Sequence, residues 1–338
     1  MRYTDILNNF KSNLPKERQW WPDFFYHFTD VHNAVNIIES GWIYSRAQAQ
    51  AKDIMVNDNA SRVVIDMTGD DKKTYGRLYF RPLTPTQYHN EGYKPEELRN
   101  QEINASCPVP IFFLLSVEKT MALDNTKFAE KGIAGNNNNI KQGYEEFAKL
   151  NFEKIYHDGP YDPQIDSNIK AYRHSEIIRE GGFPLPRIIR GIVCRSNAER
   201  ETLLYLLRRK SSNVYNYYKE YIMYAPSKRM FYENGVFIKN VYVIDKKLNL
   251  ELNSKQTRYK YFMDKVQFSV CISITYLSKE RNQLSIVEGK GEMNYCTVES
   301  ITMRLEENLD YTSIIVKVKF DDAIMYENEL EITDDIIW

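Results

Sequence analysis

The sequence predicts an α+β N-terminal domain, residues 1–212, followed by an all-β domain, residues 213–338. A chain of 338 residues has room for two domains. Up to about residue 212, segments with helical and with strand periodicity are interspersed, whereas beyond it short alternating runs of β-branched residues are separated by polar turns. Such runs are typical of an antiparallel, immunoglobulin-like sandwich. The runs are residues 236–243, 248–252, 266–277, 283–288, 296–305, 313–320 and 323–332.

The N-terminal domain opens with an amphipathic helix predicted within residues 1–19. A strand with one histidine, His27, is predicted at 24–29. Asp30 is a suitable N-cap for the next helix, and Gly41 a suitable end. Further predicted elements are a strand with a proline-punctuated turn at 75–88, a buried strand at 110–117 and a helix at 142–156.

The stretch 168–207 is the centre around which we expect the domain to be organised. Glu176 is followed by two β-branched residues and then by a Gly/Pro-rich segment at 181–186 that interrupts regular structure. A strand at 188–193 and a helix at 198–207 are predicted after it. An acid at a strand edge beside such a loop can lie at the mouth of a cleft. Taken singly, a glutamate is usually a solvated surface charge, so its interpretation depends on the other residues of the chain.

Composition excludes several classes of protein. The net charge of −1 gives no general attraction to nucleic acid, so such a partner must be held by a local patch. The four cysteines are scattered and the five histidines lack ligand spacing, which predicts reduced core thiols and no metal. The sequence shows neither a long apolar span nor a signal-peptide pattern, so we expect no membrane association and a cytoplasmic location.

Four sequence blocks between about residues 20 and 207 resemble the DarT family of DNA ADP-ribosyltransferase toxins. The first is YHFTDVHNAVNIIESGWIYSRA, and the second contains Ser61-Arg62. The third is YGRLYFRPLTPTQY, and the fourth is RHSEIIREGGFPL with Glu176. Their order and spacing are more specific than any single block. The resemblance implies an ADP-ribosyltransferase-like domain that uses NAD as co-substrate, although the sequence has neither a GxGxxG nor a Walker A loop.

The resemblance also implies roles for individual residues. Glu176 would be catalytic, His27 and Thr29 would contact the nicotinamide and ribose, and Arg62 would face the phosphates or the reacting ribose. Arg46 is the alternative to Arg62 for that contact. The candidates for holding a nucleic-acid substrate, by stacking or by phosphate contact, are Tyr79, Phe80, Tyr88, Tyr172 and Arg173.

Departures from the family pattern leave the acceptor open. Leu83 stands where the family usually has arginine, and Ser175 where it has alanine. We therefore expect single-stranded DNA, with RNA as a close alternative, as the substrate of a toxin in a toxin–antitoxin or anti-phage system. The implied partner is an antitoxin, either a macrodomain hydrolase or a sequestering protein, alone or with a chaperone. Two alternatives are a protein ADP-ribosyltransferase and a non-catalytic binding module with a vestigial NAD cleft.

Overall fold

The computed structural model describes residues 2–54, 69–99, 106–133, 139–162, 164–166, 168–253 and 265–332. Arg62 lies outside the described residues, so its contact with NAD stays a prediction.

An eight-stranded sheet forms the centre of the N-terminal part, in the order β10-β9-β4-β1-β3-β7-β5-β6. Strands β9 and β10 are parallel and the other neighbours are antiparallel. A separate two-stranded sheet pairs β2 with β8. The strands are β1 (Phe24–Asp30), β2 (Trp42–Tyr44), β3 (Tyr75–Tyr79), β4 (Pro110–Ser116), β5 (Lys127–Ala129), β6 (Ile140–Lys141), β7 (Glu176–Glu180), β8 (Gly182–Pro184), β9 (Ile189–Cys194) and β10 (Ile222–Tyr224).

Helices surround this sheet, and two of them differ from the sequence prediction. The predicted helix at 142–156 is two helices, because the Asn151 side chain accepts a hydrogen bond from the Lys154 amide and starts a second one. The predicted turn after β3 contains a helix that Thr84 caps and Pro85 begins. The helices are Tyr3–Lys11, Val31–Ser40, Arg46–Ala51, Asp70–Lys73, Pro85–Asn90, Val117–Met121, Tyr144–Ala148, Phe152–Ile155, Ile169–Tyr172, Leu185–Ile188, Asn197–Lys210 and Ser212–Tyr218.

The C-terminal part consists of two antiparallel sheets, as its alternating sequence predicts. One has the order β11-β12-β15 and the other β14-β13-β16-β17. In the immunoglobulin constant-type arrangement the fourth strand joins the sheet of the first. Here the fourth strand, β14, pairs with the third, β13, which gives three strands plus four. The strands are β11 (Ile238–Ile244), β12 (Lys247–Leu252), β13 (Gln267–Leu277), β14 (Gln283–Asn294), β15 (Ser300–Arg304), β16 (Ser313–Phe320) and β17 (Ala323–Glu331).

The first sheet extends beyond the domain boundary that we predicted at residue 212. Strand β10 adds to its edge by parallel pairing with β9, so the β-rich part begins only after Tyr224. The two parts are in close contact. The helix Asn197–Lys210 lies against β17, where the Glu327 amide donates to Thr202 Oγ1 at 3.1 Å and the Tyr326 hydroxyl donates to Glu201 at 2.9 Å.

A buried ion cluster lies at the junction of the two parts. Arg195 is 2.5 Å from Glu199 and 3.8 Å from Glu91, and the three side chains are at most 1% exposed. Glu91 also accepts hydrogen bonds from the backbone amides of Tyr232 and Glu233. Burial raises the pKa of Glu199 to about 7 and raises that of Glu91, while Arg195 opposes both shifts.

The side chain of Tyr93 contributes apolar contact at the same junction. Its backbone forms a β-bridge with Val236, and its buried ring lies 5.5 Å from the rings of both Phe268 and Phe320. The hydroxyl of Tyr295 donates to the Tyr93 carbonyl at 3.0 Å. One buried apolar cluster therefore runs through both parts of the chain.

The cysteines agree with the expectation of reduced thiols. All four are free, and three of them, Cys107, Cys194 and Cys296, are buried. Within the described residues, no helix combines the length and apolarity that crossing a membrane requires.

Candidate active site

Glu176 begins β7 and is buried, with 4% of its surface exposed. Its Oε2 accepts a hydrogen bond from the Ile133 amide at 2.9 Å, and its Oε1 lies 3.7 Å from Nη1 of Arg77. Burial raises the pKa of Glu176, whereas the Arg77 guanidinium and the Ile133 amide oppose that rise. The strand-edge position predicted from the sequence is confirmed, but the carboxylate is enclosed rather than solvated.

His27 lies on β1, which is registered with β3 at the pair Tyr26–Tyr79. Its Nδ1 is 3.2 Å from the carbonyl oxygen of Arg77. Burial lowers the pKa of His27 to about 4, so the ring is neutral near pH 7. Because a carbonyl only accepts hydrogen bonds, the proton resides on Nδ1. Nε2 is therefore the acceptor nitrogen.

Arg77 joins these two residues, and sequence reasoning missed it. Its backbone carbonyl contacts His27 while its guanidinium faces Glu176. The third sequence block drew attention for its aromatic residues. The sequence signal that could have found Arg77 is its spacing from Tyr79, because side chains two residues apart lie on the same face of a strand. In the structure Tyr79 is paired with Glu176, so that face carries Arg77 to the carboxylate.

The two aromatic candidates on this block have different environments. Tyr79 is partly buried beside Glu176, and burial together with that carboxylate raises the pKa of Tyr79 to about 12. It therefore keeps its proton and can act as a donor. Phe80 is fully buried, with its ring centroid 5.4 Å from that of Phe25 and 5.9 Å from that of Phe147. A ring without an exposed face cannot stack on a base, so Phe80 is a core residue and is removed from the substrate surface.

Tyr88 is part of the helix Pro85–Asn90 and is half-buried. Its ring packs edge-on against Tyr232, with centroids 5.2 Å apart. That contact connects it to the segment between the two sheets, so the structure gives it a packing role besides the predicted stacking one.

Tyr172 and Arg173 lie four and three residues before Glu176, the first residue of β7. The half-buried Tyr172 ring has the ammonium groups of Lys131 and Lys154 at 5.1 and 5.6 Å from its centroid. Nη2 of Arg173 lies 2.8 Å from Nδ1 of His157 and donates to a backbone carbonyl at 2.5 Å. The Tyr172 ring thus has two ammonium groups near it, of which that of Lys154 is also paired with Asp166 at 3.1 Å.

Thr29 is buried at the end of β1, and Arg46 begins the helix Arg46–Ala51, where it is half-buried. The segment leading into Arg46 is tied to the end of β7, because the Ser45 amide donates to the Gly181 carbonyl at 3.4 Å. Gly182 has φ +111°, and a Cβ there would lie 2.1 Å from the Ile43 carbonyl oxygen. Only glycine fits this approach, which fixes the loop that follows β7.

Metal ligands are not clustered in the described part of the chain. No group of three or more His, Cys, Asp or Glu side chains there is arranged to hold an ion.

Residues 26–224, more than half of the chain, match the family model described as ssDNA thymidine ADP-ribosyltransferase, DarT. The chain belongs to the DarT family. It is therefore an ADP-ribosyltransferase, an enzyme class that takes ADP-ribose from NAD⁺.

Solved structures of a DarT protein are also similar to this chain. DarT of Thermus sp. 2.9 in complex with ADP-ribosylated ssDNA is 16% identical, covers 62% of this chain and 97% of that one, and has a TM-score of 0.48. The same DarT in complex with NAD⁺ is 15% identical over 62% and 98% of the two chains, with a TM-score of 0.44. No curated relative matches the chain.

Proposed function

We propose that this protein transfers the ADP-ribosyl group of NAD⁺ to a nucleobase in single-stranded DNA, with Glu176 as the catalytic residue. The observation that carries the proposal is the buried Glu176 carboxylate, oriented by the Ile133 amide and facing the guanidinium of Arg77. The description of the family supports the acceptor.

The surroundings of Glu176 suit a base. Oε2 is fixed by the Ile133 amide, while Oε1 is 3.7 Å from Arg77, which is too long for a good hydrogen bond. Oε1 therefore retains capacity to accept a hydrogen bond from a substrate hydroxyl or a proton from an attacking nitrogen. A base positioned in this way contributes about 10²- to 10⁴-fold to the rate.

The donors and acceptors around Glu176 fit the dinucleotide. Bound NAD⁺ supplies the ADP-ribosyl group, with nicotinamide as the leaving group. Nε2 of His27 is an acceptor suited to a ribose hydroxyl, and Arg46 begins a helix close to the loop that follows β7. Arg46 and Arg62 are the candidates for the pyrophosphate, since a guanidinium binds phosphate oxygens in bidentate fashion.

Tyr79, Tyr88, Tyr172 and Arg173 are the residues proposed to hold the nucleic acid. Tyr172 lies four residues before Glu176 with the ammonium groups of Lys131 and Lys154 near its ring, and Lys154 is also paired with Asp166, so a base stacked there would have the charge of Lys131 beside its phosphates. Stacking of this kind contributes about 1–3 kcal/mol per base. A base can react only when unstacked from a duplex, which favours single strands.

We infer a biological setting from the family resemblance alone. The enzyme would act in the cytoplasm as a toxin of a toxin–antitoxin or anti-phage system, with a macrodomain hydrolase or a sequestering protein as antitoxin. RNA is the close second as acceptor. A transfer assay distinguishes DNA and RNA from a protein acceptor, and distinguishes catalysis of any kind from a non-catalytic binding role.

The test uses purified protein, radiolabelled NAD⁺, and single-stranded DNA, RNA and a protein lysate offered side by side. Glu176→Gln removes the base and preserves shape, and the matched control Glu180→Gln changes the exposed last residue of the same strand. We expect label on DNA, lost by about 10²- to 10⁴-fold only in Glu176→Gln. Label on RNA or protein instead would reassign the acceptor. Neither label nor nicotinamide release in the wild type would reject the enzymatic proposal.

A further inference from the structure

A polar cleft of about 640 Å³ lies between the end of the helix Asn197–Lys210 and the four-stranded sheet of the β-rich part. One wall lies within the family-matched residues and the other lies beyond them. Its lining is Tyr205, Arg208, Arg209, Ser273, Thr275, Arg281, Gln283, Ile315, Lys317, Glu327 and Glu329.

Cations outnumber carboxylates in this cleft by four to two. Glu327 is shared by Arg209 at 3.0 Å and Lys317 at 3.2 Å. Glu329 is shared by Arg281 at 2.5 Å and Arg208 at 3.8 Å. Each acid is thus already paired with two cations, and a net charge of two positive units remains.

The geometry of the cations keeps this excess accessible. The side chains of Arg208, Arg209 and Arg281 are at least half exposed, whereas both carboxylates are nearly buried. A guanidinium carries five donors, and two short contacts to one carboxylate cannot occupy them all. The carboxylates therefore hold the cations in place, and each exposed guanidinium keeps donors that the carboxylates do not use.

The floor of the cleft is built from the outer face of the sheet. The register aligns Ser273 with Lys317, and Lys317 with Glu327, in one row across β13, β16 and β17. Thr275, Ile315 and Glu329 form the next row. Hydroxyl groups thus lie beside the cations, which is the donor set that phosphate oxygens accept from.

A purely structural explanation accounts for only part of this arrangement. Ion pairs between two packed parts of a chain, and arginines in the last turn of a helix, are common and stabilise locally. Those functions need one cation for each carboxylate. Arg281 and Lys317 pair with these carboxylates within the β-rich part, whereas Arg208 and Arg209 reach them from the helix, so the cleft holds one cation more than that at each carboxylate.

We propose that this cleft binds the phosphate backbone of single-stranded DNA beyond the nucleotide that is modified, so that the β-rich part extends the substrate site. The inference rests on the proposed function, because it takes DNA as the acceptor. Arg208 and Arg209 are positioning residues in this role, with no part in the transfer chemistry.

The test compares Arg208→Gln/Arg209→Gln with the wild type, because each carboxylate then keeps one cation. The matched control is Lys247→Gln/Arg304→Gln, an exposed pair on the other sheet with the same loss of charge. Binding of a fluorescent oligonucleotide of about 25 nucleotides is measured by anisotropy across a salt series, since each lost phosphate contact reduces the salt slope by about 0.7. We expect the slope to fall by about 1.4 and the affinity by about 25-fold at about 0.1 M salt.

Ser273→Asp provides a second, independent variant, since it adds a negative charge to the floor without removing an ion pair. It should weaken binding about fivefold at about 0.1 M salt, the equivalent of one phosphate contact. Salt slopes of oligonucleotide binding that equal the slope of the control in both variants would overturn the proposal. That result is also the one expected if the cleft binds an acidic peptide instead of DNA.

Transfer of label to an oligonucleotide of about five nucleotides separates this inference from the proposed function. Such a substrate fills little more than the catalytic site, so Arg208→Gln/Arg209→Gln should modify it at the wild-type rate. If the wild type modifies no DNA, the proposed function fails, while the salt slopes still report on the cleft. If the short substrate is modified normally and long-strand binding is unchanged, only the cleft proposal fails.

Discussion

Replacing Arg77 with methionine should shift the acidic limb of the pH–activity curve to higher pH. Arg77 is the one cation that faces Glu176 among the described ion pairs, with Nη1 3.7 Å from Oε1. Its guanidinium favours the ionised carboxylate, whereas burial favours the neutral one. Without the guanidinium the pKa of Glu176 rises, so a smaller fraction of the enzyme has the base at a given acidic pH.

The size of the effect follows from the distance. Two unit charges 3.7 Å apart attract by about 1 kcal/mol with a dielectric constant of about 80 and by about 4 kcal/mol with about 20. These energies correspond to about 5-fold and about 1,000-fold in the ionisation equilibrium of Glu176. Because the Arg77 side chain is 25% exposed, solvent screening places the expected effect in the lower half of that range.

The assay is the initial rate of nicotinamide release from about pH 5 to about pH 9, with Arg77→Lys and Arg190→Met alongside. Arg77→Lys keeps the charge and should retain most of the wild-type curve. Arg190→Met removes one exposed arginine from β9 and should leave the curve in place. A curve for Arg77→Met that superimposes on the wild-type curve would refute the assignment of Arg77 as the group that keeps Glu176 ionised.

Three further predictions concern the ion cluster at the junction of the two parts and the loop beside β7. Arg195→Met leaves two buried carboxylates without their cation and should lower the free energy of unfolding by about 3–5 kcal/mol in urea titrations. Glu199, whose pKa is raised to about 7, binds more protons in the folded than in the unfolded chain between pH 4.5 and 7, so its contribution to stability should fall as pH rises through that window. Gly182→Ala would place a Cβ against Ile43 and should destabilise the loop beside β7. Gly181→Ala shares the strain of a positive φ but meets only a flexible glutamine side chain, so it should cost less.

Each of these predictions has a defined contrary outcome. Wild-type stability in Arg195→Met would show that the buried cluster is dispensable. The pH dependence of unfolding should be flatter between pH 5 and pH 7 in Glu199→Gln than in the wild type, so identical slopes would contradict the assigned window. Equal melting temperatures for the two glycine variants would contradict the contact argument.

The sequence was informative wherever its periodicity matched the local structure. The β-rich part has alternating apolar residues, which predict each of its strands, although β14 runs six residues beyond the predicted end at 288 and β15 starts four residues after 296. Glu176 could be placed at the start of a strand because a β-branched pair follows it and a Gly/Pro loop ends it. The break at Asn151 was missed, since a cap inside an otherwise helical pattern is a single local signal that periodicity outweighs.

Features that depend on register were beyond sequence reasoning. In the sequence Arg77 looks like any other strand residue, and only the pairing of β3 with β7 brings its side chain next to Glu176. From the sequence alone Phe80 is a plausible stacking residue, but the alternation of side chains along the strand places it in the core. Strand β10 begins ten residues after the domain boundary predicted at residue 212 and still belongs to the first sheet, because its parallel pairing with β9 is a long-range contact. Such pairings are decided by tertiary packing rather than by local preference.

The contact of the helix Asn197–Lys210 with β17 has a consequence for cooperativity. The family-matched segment ends at residue 224, but Thr202 and Glu201 are bonded to residues of β17, about 125 positions later. A chain cut after residue 224 would expose the apolar side of that helix and leave Glu91 without the two amides that it binds. The unit recognised by sequence is therefore shorter than the unit that unfolds, and the whole chain should melt as one.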